Sequence, residues 1–120
     1  MLKPHEMVEA GRVLEVLEWI LRDGFIRYPI LVDSKTMVIL DGHHRVEAAR
    51  MLGLKLIPAL LVDYDDECVS VSSWRDGVHV SKDMVRLYGL KGLLMPPKTS
   101  RHRVCFEIPE VRVPLEVLRG

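Results

Sequence analysis

Hydrophobic residues recur at helical spacing near the start of the chain. Between positions 8 and 22 they form one stripe along a helix, and most of the charged residues lie on the opposite side. The stripe consists of Val8, Val13, Leu17, Ile20 and Leu21. Gly24 follows, and glycine often ends a helix because it adopts the left-handed conformation without a steric cost. The pattern therefore predicts an amphipathic helix over 8–22.

The hydrophobic spacing after this helix becomes typical of β-strands. Apolar runs at 30–32 and 37–40 flank the turn residues 33–35, which predicts a β-hairpin. Strand-like runs also occupy 57–64 and 68–74. We expect these last two runs to be neighbouring strands.

Helical spacing returns twice in the rest of the chain. After the hairpin, apolar residues recur at helical spacing from His43 until Gly53, which predicts a helix directly after the second strand. Ser81 begins another helix, which is expected to end near Gly89 or Gly92. A loop at 95–101, a strand at 104–106 and a turn of helix at 114–118 complete the predicted elements.

Composition narrows the class of protein. Strands and helices in a chain of 120 residues predict one α/β domain over 1–120, with a mixed β-sheet flanked by helices. The 17 basic and 17 acidic residues cancel, so no nucleic-acid partner is expected. No run of about 18 apolar residues would cross a membrane, and we expect a soluble, cytoplasmic protein. Asn and Gln are absent, a bias reported for proteins of hot environments.

The two cysteines do not predict a metal site. Cys68 and Cys105 lie far apart in the chain and match no spacing of metal ligands. We interpret them as buried thiols of an intracellular protein. A disulfide between them remains an open alternative.

The segment Asp41-Gly42-His43-His44-Arg45 lies where a predicted strand passes into a predicted helix. Glycine permits a tight turn there, and the helix N-terminus offers free amide N–H groups and a partial positive charge. Arg45 adds a donor that can hold phosphate in a bidentate manner. The segment therefore predicts a phosphate site. The alternative is that Asp41 only caps the helix while the histidines face solvent.

The adjacent histidines do not predict zinc, because neighbouring side chains on a helix point about 100 degrees apart. Magnesium is the metal that nucleotide chemistry usually recruits, through a carboxylate and the phosphates themselves. Asp41 is placed to supply that carboxylate. A role for Asp41 as an N-cap explains the residue equally well.

A second polar segment, Lys98-Thr99-Ser100-Arg101-His102, follows two prolines. The spacing from Gly92 to Thr99 imitates a Walker A loop, but Pro97 replaces its second glycine and no helix is predicted to follow. The segment instead offers two cations and two hydroxyls to a phosphate or a substrate. A solvated surface loop is the alternative.

Glu6 and Trp74 are weaker candidates when each is taken alone. Glu6 stands before the first predicted helix, where a carboxylate interacts favourably with the positive end of the helix dipole. Trp74 ends a predicted strand, and such aromatic residues belong more often to a core or its rim than to a ligand site.

Taken together, the motifs resemble those of the archaeal free serine kinases, which are members of the ParB/sulfiredoxin-like superfamily. The matched elements are Leu2-Lys3-Pro4-His5-Glu6, Asp41-Gly42-His43-His44-Arg45, 58–64, Trp74 and Pro97-Lys98-Thr99-Ser100-Arg101-His102. They follow the family's order and span nearly the whole chain. Members of the family are about twice as long, with an additional segment where this chain has only residues 75–95.

The resemblance implies transfer of a phosphoryl group from ATP or ADP to the hydroxyl of free L-serine, with Mg²⁺ as cofactor. Glu6 would act as the catalytic base, and Asp41 would be a second catalytic residue and the metal ligand. The nucleotide phosphates would be bound by Gly42, His43, His44, Arg45, Lys98 and Thr99, and the serine by Trp74, Ser100, Arg101 and His102. The original members look ADP-dependent, but the segment that this chain lacks would border the nucleotide pocket. The preference for ADP is therefore not carried over, and ATP is slightly favoured over ADP as the donor.

Other members of the superfamily suggest different activities. Sulfiredoxins carry a Gly-Cys-His-Arg element, but position 43 is His, so their reactive thiol is absent. ParB partition proteins carry Gly-x-Arg-Arg and a helix-turn-helix domain, for which this chain is too short. A nucleotide-binding regulatory or DNA-associated module without kinase activity is the alternative function.

Overall fold

The structure is a computed structural model that describes residues 1–120, and its architecture is α/β, as predicted. The helices are α1 (Ala10–Asp23), α2 (His43–Met51), α3 (Lys82–Lys91) and α4 (Leu115–Leu118). The strands are β1 (Phe25–Ile26), β2 (Ile30–Asp33), β3 (Ile39–Asp41), β4 (Ala59–Val62), β5 (Val69–Ser73), β6 (Ser100–Val104) and β7 (Val113–Pro114). None of the helices combines the length and the hydrophobicity needed to cross a membrane.

The strands form three small sheets. The central sheet has the order β3-β2-β4, in which β2 is antiparallel to β3 and parallel to β4, so the predicted hairpin and the mixed sheet are confirmed. The expectation that 57–64 and 68–74 are neighbouring strands is wrong. β4 pairs with β2, whereas β5 pairs with β6 from the last quarter of the chain. The acidic turn Asp65-Asp66-Glu67, which lies between the two runs, separates two sheets instead of joining paired strands.

Helix α1 buries most of the predicted stripe, since Val13 and Ile20 are buried and Leu17 packs against the same hydrophobic cluster. Its buried residues are Val13, Val16 and Ile20, whose spacing of three and four places them on one side of the helix. Leu21 was assigned to the stripe but exposes 53% of its surface. Gly24 ends the helix with a φ of 76°, as its position predicts.

The core consists of two hydrophobic clusters. One cluster joins α1, α2 and α4, and the other joins the central sheet to β5 and α3. Helix α3 approaches the sheet closely at Gly89, where a Cβ atom would lie 2.7 Å from Cγ1 of Val38. Gly89 therefore serves packing, and the helix ends at Gly92 in the left-handed conformation.

The two cysteines form a disulfide, with their Cα atoms 5.0 Å apart. The bond lies beside the register pair Val69 and Val104, at one end of the β5–β6 ladder. Cys105 is exposed and Cys68 is only partly buried. The interpretation of both residues as buried thiols is therefore wrong, because pairing of β5 with β6 brings together cysteines 37 residues apart in sequence.

The polar segment 98–102 is part loop and part strand. A strand was predicted at 104–106, after a loop that reached 101, but β6 begins at Ser100. Its partner is β5, with Ser73 opposite Ser100 and Ser72 opposite Arg101. The side chains from Ser100 onward therefore alternate between the two faces of a strand.

Candidate active site

A cavity of about 680 Å³ lies between α1, the segment around β1 and the N-terminal turn of α2. The whole segment from Asp41 to Arg45 lines it. Glu6, from the start of the chain, and Ser100, from β6, line the same cavity. The fold therefore brings three motifs that are distant in sequence to one surface.

Gly42 shapes the turn from β3 into α2. Its φ of 110° is a conformation that side chains disfavour, and a Cβ atom there would lie 2.8 Å from Cβ of Ile30. Gly42 is also the N-cap of α2, and no side chain caps the helix. The interpretation of Asp41 as an N-cap is therefore wrong, and the first-turn amides keep no side-chain partner.

His43 points into the protein instead of facing solvent. Only 8% of its surface is exposed, and its Nε2 accepts a hydrogen bond from the backbone N–H of His5 at 3.1 Å. Burial lowers the pKa of His43 to about 3, and the nearby rings of His5 and His102 add to the effect. The ring is therefore neutral, with its proton on Nδ1.

His44 connects the turn to the start of α1. Its Nε2 accepts a hydrogen bond from the backbone N–H of Glu9 at 3.1 Å. Burial, and then the charge of Arg12, lower the pKa of His44. The neutral ring carries its proton on Nδ1, so His44 offers a ligand a neutral N–H donor.

Arg45 fixes one wall of the cavity. Its Nη1 donates to the carbonyl oxygens of Tyr28 at 3.0 Å and Pro29 at 2.9 Å. Its Nη2 lies 3.5 Å from Oδ2 of Asp41. The guanidinium thus ties the chain before β2 to α2, and only its remaining N–H groups are left for the predicted contact with phosphate.

Glu6 is held by the segment that begins β6. Its Oε1 accepts hydrogen bonds from the backbone N–H of Ser100 at 2.7 Å and of Thr99 at 3.2 Å. The Ser100 hydroxyl lies 3.0 Å from the same oxygen. Backbone bonds from Met7 to Met95 and from Met95 to His5 align the two segments. Oε2 makes no hydrogen bond, so one carboxylate oxygen stays free beside the cavity.

Thr99 and His102 lie behind Glu6 instead of lining the cavity. The buried Thr99 donates its hydroxyl to the carbonyl oxygen of Pro96 at 2.6 Å. His102 Nε2 lies 2.7 Å from the hydroxyl of Tyr64, and burial lowers the pKa of His102 to about 3. Both side chains therefore support the segment from within, and neither lines the cavity.

Trp74, Arg101 and Lys98 lie outside the cavity. The guanidinium of Arg101 stacks on the exposed ring of Trp74, 4.3 Å from its centre. Lys98 is exposed, and its charge contributes to the lowered pKa of His44. Arg101 and Trp74 therefore form a second, exposed surface outside the cavity.

The cavity also contains residues that the sequence interpretation missed, namely Arg12, Trp19, Phe25, Arg27 and Tyr28. Trp19 is exposed, and the guanidinium of Arg12 lies 4.8 Å from the centre of its ring. A sequence signal existed, because a tryptophan stands outside the apolar stripe of an amphipathic helix. Large exposed aromatic residues of this kind often mark binding surfaces.

Comparison with other proteins identifies relatives of this chain. No protein-family model matches it. A ParB-like protein of Sulfolobus acidocaldarius is 48% identical over 73 residues, which cover 61% of this chain and 36% of that protein. An ATP-dependent L-serine kinase of Staphylothermus marinus is 32% identical over 104 residues, which cover 76% of this chain and 41% of that protein. The chain therefore spans less than half the length of these two relatives.

A solved structure supports the same fold. A free serine kinase in complex with AMP has a TM-score of 0.88 at 18% sequence identity, and the match covers 98% of this chain and 90% of that chain. The predicted α/β fold with a mixed sheet and flanking helices is thereby confirmed.

Proposed function

Since the chain belongs to the ParB-like family that includes the free L-serine kinases, we propose that it transfers one phosphoryl group from a nucleotide to the hydroxyl of free L-serine. The product is O-phospho-L-serine. The observation that carries the proposal is that Glu6 and the N-terminal turn of α2 share one cavity. Phosphoryl transfer to an alcohol needs a group that accepts the alcohol proton and a site that holds the phosphates.

The proposed phosphate site is the N-terminal turn of α2. Its first amides have no side-chain partner, and they lie at the positive end of the helix dipole. Gly42 lets a phosphate approach the backbone closely, and His44 adds a neutral N–H donor. Arg12 and Lys98 both lower the pKa of His44 and add positive charge. His43 and Arg45 keep the turn in this shape through their contacts with neighbouring segments.

The proposed place of the nucleobase is the aromatic part of the cavity. Trp19, Phe25 and Tyr28 line this part, and flat apolar surfaces of this kind bind planar rings. A nucleotide in this orientation places its terminal phosphate on the side of Glu6.

Glu6 is the proposed base. Oε1 is held by two backbone N–H groups, which leaves Oε2 to accept the proton of the serine hydroxyl. The serine oxygen forms a bond to the terminal phosphorus, while the bond between that phosphorus and the bridging oxygen of the nucleotide breaks. The amides of the turn stabilise the negative charge on the phosphoryl oxygens.

The proposed serine site is the open surface beside Ser100. Arg101 is suited to the serine carboxylate, because a guanidinium can bind it in a bidentate manner. Trp74 stacks on Arg101 and restricts its position. Thr99 and His102 support this surface from behind, through their bonds to Pro96 and Tyr64.

Mg²⁺ is the proposed cofactor, with Asp41 as its protein ligand. The Asp41 side chain is 58% exposed, and only Oδ2 lies near a cation, 3.5 Å from Arg45. A single accessible carboxylate fits Mg²⁺, which usually keeps several waters and binds the phosphates directly. When bound, Mg²⁺ would neutralise charge on the phosphate oxygens.

We propose ATP as the preferred donor, with ADP close behind. The S. marinus relative carries the name ATP-dependent L-serine kinase, which supports this preference. A cytoplasmic location agrees with both proposed substrates. The disulfide is compatible with it, because intracellular proteins of hyperthermophiles are an exception to the rarity of cytosolic disulfides.

The test is to incubate the purified protein with Mg²⁺ and L-serine, using ATP and ADP in parallel, and to measure phosphoserine. We expect phosphoserine with at least one nucleotide. Glu6→Gln should lower the rate by about 100-fold or more, while nucleotide affinity stays close to that of the native protein. Glu18→Gln removes an exposed carboxylate on α1 and is the matched control. Tight nucleotide binding without phosphoserine would instead favour the regulatory module.

A further inference from the structure

His5 lies beneath the proposed base and has no part in the reaction described above. Its side chain is fully buried, with Nδ1 2.7 Å from the carbonyl oxygen of Ile39 and Nε2 2.8 Å from Oγ of Ser100. A carbonyl oxygen can only accept, so Nδ1 is the donor. Desolvation by burial lowers the pKa of His5, so the ring is neutral near pH 7. Nε2 is therefore an acceptor.

The hydroxyl of Ser100 has two potential acceptors and a single hydrogen. Its oxygen lies 2.8 Å from Nε2 of His5 and 3.0 Å from Oε1 of Glu6. Oε1 already accepts two backbone N–H groups, whereas Nε2 has no other donor. A buried acceptor without a donor is costly, so the hydrogen belongs on the His5 side.

We propose that His5 is a positioning residue for the phosphoryl transfer, because it accepts the hydroxyl hydrogen of Ser100 and thereby withholds it from Glu6. This inference rests on the proposed function. A carboxylate that accepts one hydrogen bond fewer holds a proton more strongly, which favours its action as a base. Ser100 then acts through Glu6, and not through a direct contact with the substrate.

Several titratable groups face this pair from other elements. His43 and His44 come from α2, and His102 comes from β6. Burial lowers the pKa of each of these three rings, so all three favour the neutral form at neutral pH. Arg12 and Lys98 add positive charge near His44, and both residues are kept in every variant. The comparison between variants therefore isolates the Ser100 hydrogen bond.

The test is a ¹³C NMR titration of the Glu6 carboxyl group in the native protein and in three variants. His5→Asn keeps an amide donor for Ile39 but removes the acceptor for Ser100. The freed hydroxyl then donates to Glu6, and the titration midpoint should fall by about one pH unit. Ser100→Ala should leave the midpoint close to the native value. The double variant should return it there, because no hydroxyl remains to donate.

Two outcomes would overturn the inference. A higher midpoint in Ser100→Ala would mean that Ser100 donates to Glu6 in the native protein, and an unchanged midpoint in a folded His5→Asn would mean that His5 withholds nothing. If His5→Asn does not fold, the Ser100→Ala titration and the ¹⁵N spectrum of the native protein show whether the Ser100 hydroxyl donates to His5. That spectrum should show the His5 proton on Nδ1, and a proton on Nε2 would contradict the inference. Ser70→Ala, at an exposed serine of β5, is the matched control.

These measurements do not depend on turnover, so they separate the inference from the proposed function. A native protein that makes no phosphoserine would refute the function, whereas the titrations would still decide where the Ser100 hydrogen lies. In an active enzyme, His5→Asn should lower kcat by about threefold to tenfold, with little change in KM. The acidic limb of its pH profile should move to lower pH, and Ser100→Ala in the same chain should move it back. A purely structural role for His5 would not produce this reversal.

Discussion

Two polar segments contribute to the proposed site, and they are held in place in different ways. The turn at 41–45 depends on nearby chain, because Gly42 packs against Ile30 and Arg45 bonds carbonyls 16 and 17 residues away. The segment at 98–102 depends on Glu6, which is 94 residues from Ser100 in sequence. The backbone of the turn is therefore held locally, although its His43 and His44 rings also accept hydrogen bonds from the start of the chain. The second segment acquires its role only in the folded chain.

The two segments also present their side chains differently. All five residues of the turn line the cavity, whereas only Ser100 of the second segment does. A turn into a helix can display consecutive residues on one surface, but a strand directs alternate side chains to opposite faces. Arg101 accordingly stacks on Trp74, while His102 contacts Tyr64. A motif of adjacent polar residues is thus a better guide to a site in a turn than in a strand.

Acid should destabilise both segments, since each contains a buried neutral histidine. Burial lowers the pKa of His43 and of His102 to about 3 from the usual 6.5. The unfolded chain therefore binds protons first, so stability is complete above about pH 6.5 and falls as the pH decreases towards 3. Each histidine should contribute a loss of about 1.4 kcal/mol per pH unit in this range. Urea unfolding at several pH values measures this loss of unfolding free energy.

The slope of stability against pH can be divided between the segments. His102→Phe should remove the share of His102, about 1.4 kcal/mol per pH unit, because the phenyl ring never becomes charged. His79→Gln, at an exposed histidine, should leave it unchanged. Equal stability at pH 6.5 and pH 4.5 in the native protein would contradict the burial of the two neutral rings.

Gly42→Ala tests the local construction of the turn. The added Cβ would lie 2.8 Å from Cβ of Ile30 at a φ of 110°, so the free energy of unfolding should fall by about 2–4 kcal/mol. Gly77→Ala is the control, because its φ of 73° is also positive but open space surrounds it, and it should cost about 1 kcal/mol. Equal losses in the two variants would show that the contact with Ile30 has no importance.

Arg45→Lys tests the tie between the turn and the chain before β2. A lysine cannot reproduce the two bonds from Nη1 to the carbonyls of Tyr28 and Pro29, and stability should fall by about 1–3 kcal/mol. Arg50→Lys, on the same helix with a side chain 73% exposed, should change stability by less than about 0.5 kcal/mol. If both variants were equally stable in thermal unfolding, the bonds from Arg45 to the two carbonyls would not stabilise the fold, and a role in phosphate binding alone would remain.

Thr99→Val gives the smallest expected effect and tests the second segment. Loss of the hydroxyl bond to Pro96 should cost about 1 kcal/mol of stability. Nucleotide affinity, measured by calorimetry, should not change, because the hydroxyl does not line the cavity. A clear loss of affinity in a stable Thr99→Val protein would instead support the direct phosphate contact that the motif suggests.

Local patterns predicted the helices and the hairpin, because these depend on spacing and on turn residues. Helix α3 begins after Ser81, whose side chain caps it, and α1 ends at Gly24, both at the predicted positions. Strand pairing was less predictable, because the pattern of β5 does not indicate whether its partner strand lies earlier or later in the chain. The error in pairing also concealed the disulfide, since Cys68 and Cys105 meet only when β5 pairs with β6.

The same distinction holds for the site. The turn at 41–45 was recognised as a unit and lies on the cavity as one. Arg12 and Trp19 were missed because the sequence pattern assigns both to the solvent-exposed face of the helix. This face becomes part of the cavity wall only because α1 packs beside the turn. The role proposed for Ser100 depends on the distances from its hydroxyl oxygen to His5 and Glu6, and these distances cannot be inferred from the sequence.

A ³¹P NMR spectrum of the native protein mixed with Mg²⁺, ATP and L-serine tests the central claim most directly. We expect a phosphoserine resonance that grows in step with the conversion of ATP to ADP, and we expect neither change without serine. The proposed kinase activity would be contradicted if the nucleotide resonances broaden through binding but no phosphoserine forms. Inorganic phosphate as the sole product would contradict it too, provided that the result is the same with ATP and with ADP.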